Sequence, residues 1–173
     1  MLYNTAMDTL EVMPANNCQL PRWHEIPKMG LFLEQTVRYL NDCFDQLDDS
    51  FQVTPAMISN YVKMKIITNP AGKTYTREQI AYLIYLSIMK NVLPLTDITK
   101  MFAIQKKQYS TEVAYNYFCD EFANVMQYVF TNQNSLDYVG GELTPAKLLL
   151  KNAILAIVYK IFVKKQLALL AKD

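Results

Sequence analysis

The sequence predicts a mainly α chain: helix, turn and helix with a small β-hairpin wing, followed by a helical C-terminal region. Three observations predict it. Apolar residues recur at three- and four-residue spacing along most of the 173 residues, the pattern of helices with one buried face. Helix starts are spelled out by Thr54-Pro55, Thr144-Pro145 and the capping-box pattern Thr76-Arg77-Glu78-Gln79, each supplying acceptors for first-turn N–H groups. Finally, residues 54 to 77 join a short capped helix to a turn punctuated by Asn69, Pro70 and Gly72, without one Asp or Glu.

Composition sets the class. Half the residues are apolar (51%), with only four Gly and seven Pro, which suits one packed domain or a small domain with a helical extension. The net charge of +1 conceals an uneven distribution. Lys63, Lys65, Lys73 and Arg77 form one basic island and residues 143 to 173 a second, set in an acidic remainder. Cys18, Cys43 and Cys119 are odd in number, far apart and without a CxxC, which argues against a disulfide framework or a zinc site and fits a reducing cytoplasm. The N-terminus lacks a charged n-region and apolar core, so no signal peptide is expected. The most apolar run, residues 153 to 163, is interrupted by Lys160 and too short to span a bilayer. The expectation is a cytoplasmic protein without membrane contact or cofactor.

Along the chain, residues 1 to 19 read as a partly mobile leader, and a first domain is expected over 20 to 104. Prolines 21 and 27 flank Trp23 and should hold it extended, the indole anchoring the leader to the body. Leu33, Val37, Leu40, Phe44 and Leu47 form the seam of a helix over about 28 to 47, its outer side carrying Glu34, Asp42 and Asp45. The next helix is expected from Pro55 to Lys65. Ile58, Tyr61 and Val62 fall on its packed face, and Ala56, Ser59, Asn60 and Lys63 on the other. Ile66-Ile67, the Pro/Gly turn and Thr74-Tyr75 read as the hairpin wing. A helix to about Asn91 is apolar almost all round, hence central; Pro94 closes it, and Thr96-Asp97 restart a short helix with Ile98, Met101 and Phe102. Lys106-Lys107-Gln108 read as a solvated connector.

Residues 105 to 173 form the helical C-terminal region, for dimerisation or effector binding. One helix is expected from Thr111 to about Thr131, then a loop over 132 to 141, then some 25 residues of helix to Ala171. The uncharged centre of the last helix, 153 to 159, predicts burial on most sides, with homodimerisation the favoured explanation.

This order, with Tyr61-Val62-Lys63, Ile66-Ile67, Tyr75 and Leu95-Thr96-Asp97-Ile98, resembles the DNA-binding domain of MerR-like winged helix-turn-helix regulators. More closely, Leu20-Pro21-Arg22-Trp23, Glu25-Ile26-Pro27, Met57-Ile58-Ser59-Asn60-Tyr61-Val62-Lys63 and Lys73-Thr74-Tyr75-Thr76-Arg77-Glu78 are similar to an uncharacterised bacterial family, YkrK-like, known mainly as a domain of unknown function. That similarity covers about residues 20 to 102. The MerR-like resemblance implies transcriptional regulation.

For a duplex reader, Ser59, Asn60 and Lys63 would face bases in the major groove, Asn suiting adenine and Lys the guanine acceptors. Lys65, Lys73, Thr74, Tyr75 and Arg77 would hold phosphates from the wing. The partner expected is double-stranded DNA, bound by a homodimer, with a small-molecule effector as a further partner. No enzyme is expected, and no catalytic or metal residue. Ala71-Gly72-Lys73-Thr74 ends like a P-loop, but the first glycine position is Ile67. His24, the only histidine, has no Ser or Cys placed for it to activate. The alternative is a helical protein-interaction or small-molecule sensor module without DNA binding. In that reading Tyr115, Tyr117, Phe118, Phe122, Tyr128, Phe130, Tyr138, Tyr159 and Phe162 supply a pocket, although the same stripe also suits ordinary core.

Overall fold

Periodicity this regular should fold into helices sharing one core, and it does. The structure, a computed structural model, describes residues 18–131 and 134–171. The leader up to residue 17, and Lys172, lie outside the described residues. Among those residues are six α-helices, α1 (Leu33–Cys43), α2 (Pro55–Lys63), α3 (Arg77–Met89), α4 (Leu95–Lys106), α5 (Thr111–Phe130) and α6 (Pro145–Leu170), with strands β1 (Leu31–Phe32) and β2 (Thr74–Tyr75). Short 3₁₀ turns occupy Trp23–Glu25 and Asp49–Phe51. No helix among the described residues is long and apolar enough to cross a membrane.

The caps act as expected. Thr54, Thr76 and Thr144 side chains accept from the N–H of Met57, Gln79 and Lys147, and the full capping box forms at α3. Ser110 caps α5 in the same way. The central helix is α3, with Ile80, Leu83, Ile84, Leu86 and Ile88 fully buried. Side chains from Cys18 through Ile161 join one hydrophobic core.

Four expectations are corrected. The helix foreseen over 28 to 47 runs only Leu33–Cys43, because Leu31 and Phe32 pair as a strand instead. Trp23 sits in a 3₁₀ turn rather than an extended segment; its backbone N–H donates to Asn116 Oδ1 at 3.0 Å, Arg22 pairs with Asp120, and the indole packs half-buried 6.3 Å from the Tyr115 ring centre. The short helix after Pro94 begins at Leu95 and continues through Lys106. The centre of α6 buries Ile154, Ile157, Val158 and Ile161, but leaves Tyr159 and Val163 exposed. It therefore has one buried face, not burial on most sides.

The hairpin wing is also replaced. β2 pairs antiparallel with β1, Leu31 opposite Tyr75 and Phe32 opposite Thr74, so the sheet joins the segment before α1 to the segment before α3. Gly30 permits this approach: a Cβ there would lie 2.7 Å from Thr74 Oγ1 and 2.9 Å from Thr74 Cβ. Ile66 and Ile67 form no strand, because their N–H groups are spent on the carbonyl of Tyr61.

Candidate nucleic-acid interface

Helix α2 presents two chemically distinct faces. Ile58 and Tyr61 are buried and Val62 is half-buried, while Ala56, Ser59, Asn60 and Lys63 are exposed. This is the division its periodicity predicts. Asn60 is lightly committed: its amide N–H reaches only the Met64 sulfur, at 3.4 Å, a weak acceptor. The helix ends two residues earlier than expected, at Lys63.

Its end is a Schellman motif. The Lys65 N–H donates to the Val62 carbonyl and the Ile66 N–H to the Tyr61 carbonyl, both at 2.9 Å, with Lys65 in the left-handed region at φ 59°. Glycine normally holds that position, since a Cβ costs about 1 kcal/mol there. Lys65→Gly is therefore expected to raise stability by about 0.5–1 kcal/mol in urea unfolding, although it removes a charge. A second lysine, Lys73, follows Gly72 in a tight turn with φ of 66° and 59° respectively. The turn closes by donation from the Thr74 N–H to the Ala71 carbonyl at 3.1 Å. Both strained lysines are exposed.

Two side chains hold this region in place, one that sequence reasoning missed and one that it read only as a cap. Asn41, on α1, accepts from the Val53 N–H at 2.8 Å and donates to the Val53 carbonyl at 3.0 Å, which pins the entry to α2 against α1. Gln79 lies buried at the start of α3. Besides closing its capping box, its amide donates to the Thr68 carbonyl at 2.8 Å and to the Thr68 hydroxyl at 3.1 Å, tethering the loop between the two lysines. The capping-box pattern made Gln79 visible as a cap; nothing local signalled its second role.

The remaining predicted contacts are placed differently. Tyr75 is only 4% exposed, so its ring is core and is withdrawn from the phosphate contacts. Arg77 Nε donates to the Ile26 carbonyl at 2.9 Å, and its guanidinium lies 5.9 Å from the Trp23 ring centre. It clamps the N-terminal segment rather than standing free. Thr74 is half-buried and its hydroxyl donates to the Ala71 carbonyl at 3.1 Å. The exposed set is Ser59, Asn60, Lys63, Lys65 and Lys73. Lys164, distant in sequence, is brought to the turn before α2, its ammonium 3.0 Å from Asp48.

A family model described as a domain of unknown function (DUF1836) matches residues 21–118. The chain belongs to that family. No curated protein and no solved structure matches it. The DUF1836 segment contains both halves of the apparatus just described, from the Trp23 anchor through α2, the two strained lysines and the α3 tether, and runs on to Phe118 in α5. The family description carries no activity, and the MerR-like resemblance rests on the quoted residues alone.

Proposed function

We propose that the chain is a DNA-binding transcriptional regulator. In this reading α1 and α2 form a helix-turn-helix, α2 enters the major groove, and the loop from Met64 to Lys73 serves as the wing. One observation carries the reading: Ser59, Asn60 and Lys63 stand exposed on one face of α2, and the loop that follows keeps exposed lysines at 65 and 73 in backbone conformations better suited to glycine. Strain kept at exposed positions is most simply explained when the side chain is needed, and a cation needed beside an exposed Asn suits a phosphate backbone flanking a base edge. The absence of Asp and Glu from residues 50 to 77 keeps the local field positive.

Fluorescence anisotropy with a labelled mixed-sequence duplex tests the reading. Affinity should fall steeply with salt, with a log–log slope of about −3 per protomer if Lys63, Lys65 and Lys73 each neutralise one phosphate. A slope near zero, or no binding at low salt, would remove the proposal.

We assign the dimer interface to the exposed side of α6. Tyr159, Val163, Leu167 and Leu170 are all exposed at four- and three-residue spacing, an apolar stripe that a second copy could cover by two-fold symmetry. Sedimentation at tens of micromolar is expected to give a dimer that Val163→Glu with Leu167→Glu converts to a monomer. A monomeric wild-type protein would contradict the assignment.

A further inference from the structure

Helices α3, α4, α5 and α6 line a solvent-open pocket of about 180 Å³ that the interface does not use. Aliphatic side chains and seven rings share its wall, the rings including Tyr82, Tyr85, Phe102, Tyr117 and Phe118. These rings brace one another. Tyr82 meets Phe102 edge-on at 4.6 Å, and Tyr85 lies 5.0 Å from both Phe102 and Phe118. Stiff aromatic side chains locked in this way resist collapse into the space. An apolar void of about 150 Å³ accepts benzene, so a flat molecule of one or two rings fits here.

Two polar features narrow the class of ligand. Among the described residues, Lys147 is the only charged one in the wall. Its ammonium lies 5.1 Å from the centre of the Tyr117 ring and donates to the carbonyls of Glu142 and Gly140 at 3.1 and 3.4 Å, which occupies two of its three protons. The second feature is the Tyr85 hydroxyl, which donates to the Met101 sulfur at 3.8 Å. An oxygen acceptor in the cavity would improve on that bond. Burial pushes this hydroxyl well above the ordinary tyrosine range, so it remains a neutral donor at physiological pH. Rings alone would also suit a quaternary ammonium ion, but a lysine in the wall opposes a cation and attracts an anion.

We propose that this cavity binds a small aromatic carboxylate, its ring among Tyr82, Tyr85, Phe102 and Tyr117 and its carboxylate at the Lys147 ammonium. The proposal stands apart from duplex binding and is tested without DNA.

The test is isothermal titration of the full chain with 2-naphthoate, its neutral amide and tetramethylammonium. 2-Naphthoate should bind saturably and about tenfold more tightly than the amide, the difference made by one charge-assisted contact. Lys147→Gln should abolish that preference while leaving amide affinity unchanged. Ala114→Leu, which adds bulk to the wall, should remove binding of both; Ala146→Leu does the same from α6, and circular dichroism establishes that each variant is folded. Absence of saturable binding, or binding undiminished in both filled variants, would overturn the site. Equal affinity for acid and amide, or tighter binding of tetramethylammonium, would overturn the ligand class.

Discussion

Lys63→Ala combined with Lys73→Ala should lower affinity for duplex DNA about a hundredfold at low salt and flatten the salt slope by about two units per protomer. Lys63 stands at the end of the exposed face of α2, and Lys73 at the tip of the loop that β2 closes. On the proposed reading the two residues would approach the duplex from different elements. Removing either alone should cost about half the effect on a logarithmic scale, because neither side chain contacts the other's phosphate. Lys107→Ala removes a charge of the same kind from the exposed end of α4 and should leave binding unchanged. Equal losses from all three substitutions would indicate attraction by bulk charge rather than a docked helix. Lys164 would be a poor control, since its ion pair with Asp48 brings it to the turn that enters α2.

Asn41→Ala should destabilise the protein by about 3 kcal/mol, because it leaves both the N–H and the carbonyl of Val53 without partners beside a buried side chain. For a chain of this size that corresponds to a fall in Tm of roughly 10 °C. Asn41→Asp keeps the acceptor for the Val53 N–H and loses only the donor, so it should fall between wild type and alanine. The consequence reaches function through geometry. With the clamp gone, the entry to α2 is no longer fixed against α1, and duplex affinity should fall although no side chain facing the duplex has changed. Thermal unfolding followed by far-ultraviolet circular dichroism checks the first effect. Retained stability in Asn41→Ala would show that Val53 finds other partners.

The elements that were legible are those whose signals are local. Thr54, Thr76 and Thr144 announce their helices because a hydroxyl acceptor and the first-turn N–H groups lie within three residues. The exposed face of α2 followed from spacing alone. The features that were missed depend on pairing across long sequence separations. Nothing in Leu31-Phe32 indicates that it will meet Tyr75-Thr74, and the Ile66-Ile67 segment is the nearer candidate partner for β2, but the Schellman motif claims its N–H groups. Asn41 sits on a helix where a polar residue reads as solvated, and its role appears only when Val53 arrives opposite. Tyr75 and Arg77 flank a basic turn and so read as outward, yet β2 turns the first inward and Ile26 captures the second.

The aromatic stripe of the C-terminal half divides for the same reason. Phe122 and Phe130 are buried, with Phe130 edge-on to Phe162 at 5.2 Å, whereas Tyr138 and Tyr159 are exposed. Only Tyr115, Tyr117 and Phe118 of that set line the cavity, which Tyr82, Tyr85, Phe102 and Tyr109 complete. Helical spacing distinguishes a buried face from an exposed one. It does not say where a buried face will fail to close.

The central claim, that the exposed face of α2 reads base edges, is tested most directly by selecting bound sites from a pool of random duplexes with the full-length protein. The account predicts enrichment of one sequence, with paired half-sites about one helical turn apart if the protein is a dimer, and relaxed preference at an adenine position when Asn60→Ala is used instead. A pool that emerges with no enriched sequence, or enrichment that Asn60→Ala leaves untouched, would contradict it.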